Sequence, residues 1–189
     1  MKMEKSKKTE NRIQNMVFVA MFAAIIAVLA QIAIPVPGSV PVTLQTAAIA
    51  LCGFILGKKL APVAVCVYIA LGAVGVPVFA GFKGGAAVLV GMTGGFLWGF
   101  ILMAFLCGVA MRVSNRVVSI VIAVASIAAC HLPGVLQFSF VFGRTVAESF
   151  LIASAPYLLK DMLSVLVAYA LSGAVLHGLK KAKVTVGMF

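Results

Sequence analysis

Lys160 and Asp161 stand side by side in a run that is otherwise almost entirely apolar. A charge in such a setting is costly and persists where something satisfies it, so an acid and a base inside an apolar run mark a candidate binding site. Adjacent residues on a helix point about 100° apart. The expectation is therefore that Asp161, which is short, faces inward, while Lys160 snorkels toward the surface. Ser164 lies three residues further on, roughly on the face of Asp161. Lys83 is the one cation in the glycine-rich stretch Val76–Gly95, VPVFAGFKGGAAVLVGMTGG, where Gly84 and Gly85 follow it. Thr43, Gln45 and Thr46 open one apolar run, Tyr68 lies in the next, and Tyr157 precedes Lys160. One acid, one or two bases, an amide and several hydroxyls among apolar side chains suit a small amphipathic ligand.

Catalytic signals are thin. Cys130-His131 is a possible nucleophile and base, but His177 is far off in sequence, and no HExxH or carboxylate ladder accompanies them. No metal or cofactor site is expected. Gly57-Lys58 looks like the end of a phosphate-binding loop, yet Lys59 stands where Ser or Thr is needed and Cys52 where the first glycine belongs. The chain is expected to hydrolyse no ATP of its own and not to be an enzyme.

The elements that must carry these residues follow from composition. Of 189 residues, 63% are hydrophobic and 10% charged, against roughly 25% charged in an ordinary soluble domain. The class is an all-α, multi-pass membrane protein. Six apolar spans are read: about 16–34, 44–56, 60–74, 95–111, 117–142 and 152–179. The fifth is interrupted by Pro133-Gly134, and the sixth has Pro156 near its start. Residues 1–189 form a single integral membrane domain, with a basic N-terminal segment at 1–15 and a basic tail at 180–189. The first span runs on without a polar cleavage region, so it is read as retained rather than as a removed signal.

Lys2, Lys5, Lys7, Lys8 and Arg12 precede span 1; Lys58 and Lys59 follow span 2; Arg112 and Arg116 follow span 4; Lys180, Lys181 and Lys183 follow span 6. Twelve of the fifteen cations thus fall on one side if both termini are cytoplasmic. No aromatic residues are interleaved with them, so nucleic acid is not the expected partner. Cys52, Cys66, Cys107 and Cys130 lie inside apolar runs and form no C-x-x-C pair, so no disulfide framework is expected. The 76–95 stretch falls on the outer side. Its backbone cannot face lipid unpaired, which predicts a glycine-rich hairpin or lid over a cavity, between spans 3 and 4. Ala20/Ala24 and Ala23/Ala27 are small-xxx-small pairs on span 1, suited either to internal packing or to a partner helix.

Read in order, Ser39-Val-Pro-Val-Thr-Leu-Gln-Thr46, Leu56-Gly57, Tyr68, Gly75-Val-Pro-Val-Phe-Ala-Gly81, Gly84-Gly85, Gly91-Met-Thr-Gly-Gly95 and the Pro156–Asp161 spacing resemble the BioY family over roughly residues 16–180. These are the biotin-specific substrate-binding S components of energy-coupling factor (ECF) transporters. The resemblance implies six helices in the plasma membrane, and biotin taken from outside. It also implies a membrane T subunit and two cytoplasmic ATPases as partners, with ATP hydrolysed by the partners. It makes the 3–4 loop the substrate lid, Lys83 a variable lid position that contacts ligand, and Asp161 the acidic residue of the span 6 motif. It also favours Ala20 and Ala24 as partner contacts. Gln45, Tyr68, Lys83, Gly84, Gly85, Asp161 and Ser164 are the candidate ligand residues. Two departures stand out: Ser164 replaces the family's lysine three residues after the aspartate, and Met92 replaces the proline of GPTGG. Another small carboxylated vitamin, such as lipoate or a biotin precursor, is the alternative ligand. A small membrane enzyme using Cys130 and His131 is a reading of a different class.

Overall fold

The computed structural model describes residues 2–37 and 39–182. Lys183 and the rest of the basic tail lie outside the described residues, as do the side chains of Lys2, Lys5, Lys7 and Lys8. Helix α1 (Lys2–Gln31) is followed by a short antiparallel pair, β1 (Ala33–Ile34) and β2 (Val42–Thr43), with Ala33 opposite Thr43. Then come α2 (Gln45–Ala73), α3 (Ala86–Val90), α4 (Gly94–Ala110), α5 (Arg116–Phe142), α6 (Val146–Ala153) and α7 (Ala155–Lys181).

Segment α2 is not one rod. Gln45 Nε2 donates to Tyr68 Oη at 2.7 Å, although the two are 23 residues apart. An unbroken helix would separate them by about 34 Å. The chain reverses at Gly57, whose φ of 72° and ψ of 176° belong to a region open almost only to glycine. Two antiparallel arms result, and Pro62 falls near the start of the second. Helix α4 packs against both α2 and α5, at the centre of one apolar core.

Helix α5 is continuous from Arg116 to Phe142, so the expected interruption at Pro133-Gly134 does not occur. Neighbouring helices hold the chain helical through the proline. Gly95 of α4 lies so close to the Pro133 carbonyl that a Cβ there would collide with it. Helix α5 starts under Asn115, whose side chain accepts from Val117 N at 2.9 Å, and ends at left-handed Gly143. The expected sixth span is broken at Ser154. There α6, started by a Thr145/Glu148 capping box, gives way to α7 with Pro156 in its first turn.

Among these elements Asn11–Gln31, Gln45–Ala73, Arg116–Phe142 and Ala155–Lys181 are long and apolar enough to cross a membrane, and Gly94–Ala110 is a shorter apolar helix. Large apolar side chains such as Val28, Leu102, Phe105 and Leu163 point outward. That is the surface of a multi-pass membrane protein, not of a soluble bundle.

Candidate ligand-binding site

A cavity of about 550 Å³ opens where α2, α4, α5 and α7 meet the β1–β2 loop and the 76–93 segment. Its walls are mostly apolar, with Phe79, Val88, Phe96, Leu97 and Phe100 among them. The polar groups are joined in one network. Asp161, buried on α7, accepts from His131 Nε2 of α5 at 3.0 Å and is ion-paired with Lys160. Lys160 Nζ also donates to the Thr43 carbonyl at 2.9 Å, and the Thr46 hydroxyl reaches Asp161. Lys160 and Asp161 therefore both line the cavity, against the expectation that they part. The four-carbon stem of the lysine lets its ammonium curl back to the carboxylate that its own backbone position points away from.

The remaining ring nitrogen of His131, Nδ1, lies 2.7 Å from Ser154 Oγ. A carboxylate only accepts, so Nε2 carries the proton that Asp161 receives. Ser154, His131 and Asp161 are thus strung like a nucleophile, base and orienter. Ser154 is 0% exposed and does not line the cavity, so no substrate carbonyl could reach its hydroxyl. Cys130 Sγ is directed to the Phe96 carbonyl at 3.9 Å. Among the described residues no group of His, Cys, Asp and Glu side chains could hold a metal.

Two loops contribute to the lining of the cavity. In the first, Ser39 Oγ donates to the Ile152 carbonyl at 2.8 Å, and Tyr157 of α7 donates to the Val40 carbonyl. In the second, Phe79 and Lys83 exchange two backbone hydrogen bonds, of 2.9 and 3.2 Å, around a tight turn. Gly81 and Phe82 both have positive φ there, and Phe79 is buried against Tyr68. Gly84 follows: a Cβ on it would lie 2.7 Å from the Val76 carbonyl oxygen and 2.8 Å from that of Gly75.

The structure brings Gln45, Lys83 and Asp161 to the cavity wall. Tyr68 stands one step behind, hydrogen-bonded to Gln45. Gly84 and Gly85 shape the turn without lining the cavity, and Ser164 is half-buried on α7 away from it. The two alanine pairs of α1 separate: Ala23 is buried and Ala27 packs against the core, whereas Ala20 and Ala24 are exposed. His131, weighed only as a catalytic group, is the partner of Asp161; 30 residues separate them, so no local pattern joins them. Gln31 escaped notice, although it is the single polar side chain between Met16 and Ile34. A polar group in such a run was the available signal.

The sequence model of the BioY family matches residues 3–181. A Thermotoga maritima protein named biotin transporter BioY is 40% identical over 148 residues, covering 78% of this chain and 86% of that relative. A Rhizobium etli protein of the same name is 30% identical over 177 residues, covering 87% and 94%. A crystal structure of the S-component for biotin from an ECF-type ABC transporter superposes with a TM-score of 0.74 at 25% identity, over 86% of this chain and 92% of that one.

Proposed function

The chain belongs to the BioY family, and on that premise we propose that it is the biotin-binding S component of an ECF transporter, capturing biotin from outside for uptake driven by partner subunits. The observation that carries this reading to named residues is the mostly apolar cavity with one polar cluster around Asp161 on its wall. An apolar body fits among Phe79, Phe96 and Phe100; the polar network around Asp161 suits ureido N–H donors; Lys83 suits a carboxylate. Its relatives are named transporters, which supports reading the chain as a transporter rather than as an enzyme built on Cys130 and His131.

Counting the two arms of α2 separately, and α6 with α7 as one, we read six crossings with both termini cytoplasmic. The 12-of-15 cation bias supports this orientation. The Phe79–Lys83 hairpin is read as the lid. A T subunit and two cytoplasmic ATPases are the expected partners in the plasma membrane, with Ala20 and Ala24 as the outward face of α1 that meets the T subunit.

Ser164 offers no cation to the cavity and Lys160 is already paired, which favours one second reading: the same site taking lipoate or a biotin precursor. Equilibrium titration of the purified chain with labelled biotin, competed by unlabelled lipoate and a biotin precursor, separates the two. Saturable binding displaced only by biotin is expected. No binding of biotin alongside binding of a competitor would replace the ligand, and no binding of any would remove the function.

A further inference from the structure

Gln31, the last residue of α1, touches no part of the cavity, yet its amide is bonded on both ends. Nε2 donates to the Val78 carbonyl at 3.0 Å and to that of Phe79 at 3.3 Å, as well as to Ala27 of its own helix at 3.0 Å. Oε1 accepts from the Phe82 backbone N–H at 2.9 Å. Phe82 is the one non-glycine residue with positive φ among those described, at 57°. One side chain thus holds three backbone groups of the hairpin that carries Phe79 and Lys83 over the cavity, including the residue in its least favourable conformation.

The Val78 carbonyl is shared. It accepts from Tyr68 Oη at 3.3 Å as well as from Gln31, and Tyr68 Oη in turn accepts from Gln45 Nε2 at 2.7 Å. Gln45 lines the cavity, and its Oε1 accepts from Thr43 Oγ1 at 3.3 Å. A continuous line of hydrogen bonds therefore runs from the ligand wall, through Gln45 and Tyr68, to the seat of the hairpin and the end of α1.

We propose that Gln31 is a positioning residue for capture: its amide clamps the 78–82 hairpin closed, and the Gln45–Tyr68–Val78 relay makes that clamp respond to an occupied cavity. This rests on reading the cavity as the biotin site. A ligand that holds the Gln45 amide in place reinforces the bond that Tyr68 already donates to Val78, so ligand and clamp favour the same closed hairpin, which is the differential interaction a population shift needs. The relay ends on α1, the helix whose outward face is assigned to the T subunit, so the lid and the partner helix share this one side chain.

The test uses the full chain in lipid nanodiscs, with biotin dissociation and hydrogen exchange of residues 76–84 as the two readouts. Gln31→Met keeps the length and removes every hydrogen bond. It is expected to speed biotin dissociation about fivefold, the factor that one net hydrogen bond amounts to, and to raise exchange of 76–84 with or without biotin. Tyr68→Phe removes one of the two side-chain donors to Val78, so it is expected to raise the ligand-free exchange less than Gln31→Met does while weakening the protection that biotin adds. Gln31→Glu keeps the acceptor for Phe82 N–H and loses the donors, so an intermediate effect is expected; it carries the same readouts if Gln31→Met cannot be purified. Dissociation and exchange within twofold of the parent in the Gln31 variants would overturn the proposal. If the parent itself takes up no biotin, the functional reading falls instead, and the ligand-free exchange of the Gln31 variants still decides whether Gln31 clamps the hairpin.

Discussion

Asp161 is satisfied before any ligand arrives, by Lys160, His131 and Thr46. That explains how a carboxylate is held in so apolar a place. Asp161→Ala removes the hub and leaves Lys160 without its counter-ion. Biotin affinity is expected to fall by about 1.5–3 kcal/mol, the range for a hydrogen bond to a charged group, read by titration; unchanged affinity would place the site elsewhere. Lys83 offers a different test, because it is exposed on the hairpin and assigned to the ligand's carboxylate. Lys83→Ala should weaken biotin but leave biotin methyl ester, which lacks the anion, bound as by the parent. Asp161, Lys83 and Gln45 were legible in the sequence because polar groups are rare in apolar runs. Gln31 carried the same signal, but its partners and that of His131 lie 30 to 51 residues away and only the fold brings them near.

At the scale of the element, the glycine-rich stretch and the reversal at Gly57 decide the geometry. The stretch was expected to be non-helical; only residues 79–83 form a hairpin, whereas Ala86–Val90 is helix α3 and Gly94 opens α4, and the anchors of the hairpin, Tyr68 under Phe79 and the amide of Gln31, come from other segments. Gly84 is confined by the carbonyls of Val76 and Gly75. Gly84→Val would push those carbonyls apart and lift the hairpin, so slower capture or faster release of biotin is expected in a rapid-mixing experiment; unchanged rates would mean that the hairpin does not cover the ligand. Gly57 marks the boundary between two expected spans and becomes the turn of a tight helical pair, with Gly108 of α4 pressed against it. Gly57→Ala keeps every side-chain contact and strains the backbone, which costs about 1–3 kcal/mol. A lower thermal midpoint with biotin stoichiometry unchanged is the expected result. The expected break at Pro133 failed for a reason of the same kind: packing by α4 holds α5 helical where the local sequence alone argues for an end.

For the whole molecule, composition already dictated a membrane protein, and the charge distribution argues for cytoplasmic termini; the position of the cavity among α2, α4, α5 and α7 had to come from packing. Reporter fusions at Lys8 and Lys183 are expected to read cytoplasmic at both ends, and one outward reading would break the six-crossing arrangement. The alanines of α1 turn the partner question into a contrast within one helix. Ala23 is buried at 2% exposure, so a large side chain there has no room inside the bundle. Ala20 and Ala24 are one turn apart on the exposed side, where a close-packed partner helix would need small residues. Ala20→Trp is therefore expected to fold and to bind biotin as the parent does, while failing to co-purify with a T subunit. Ala23→Trp is expected to destabilise the chain itself, seen as a lowered thermal midpoint with or without partners. If Ala20→Trp assembles normally, the T subunit docks on another face. If it loses biotin while complexes still form, that side of α1 serves the cavity rather than the partner.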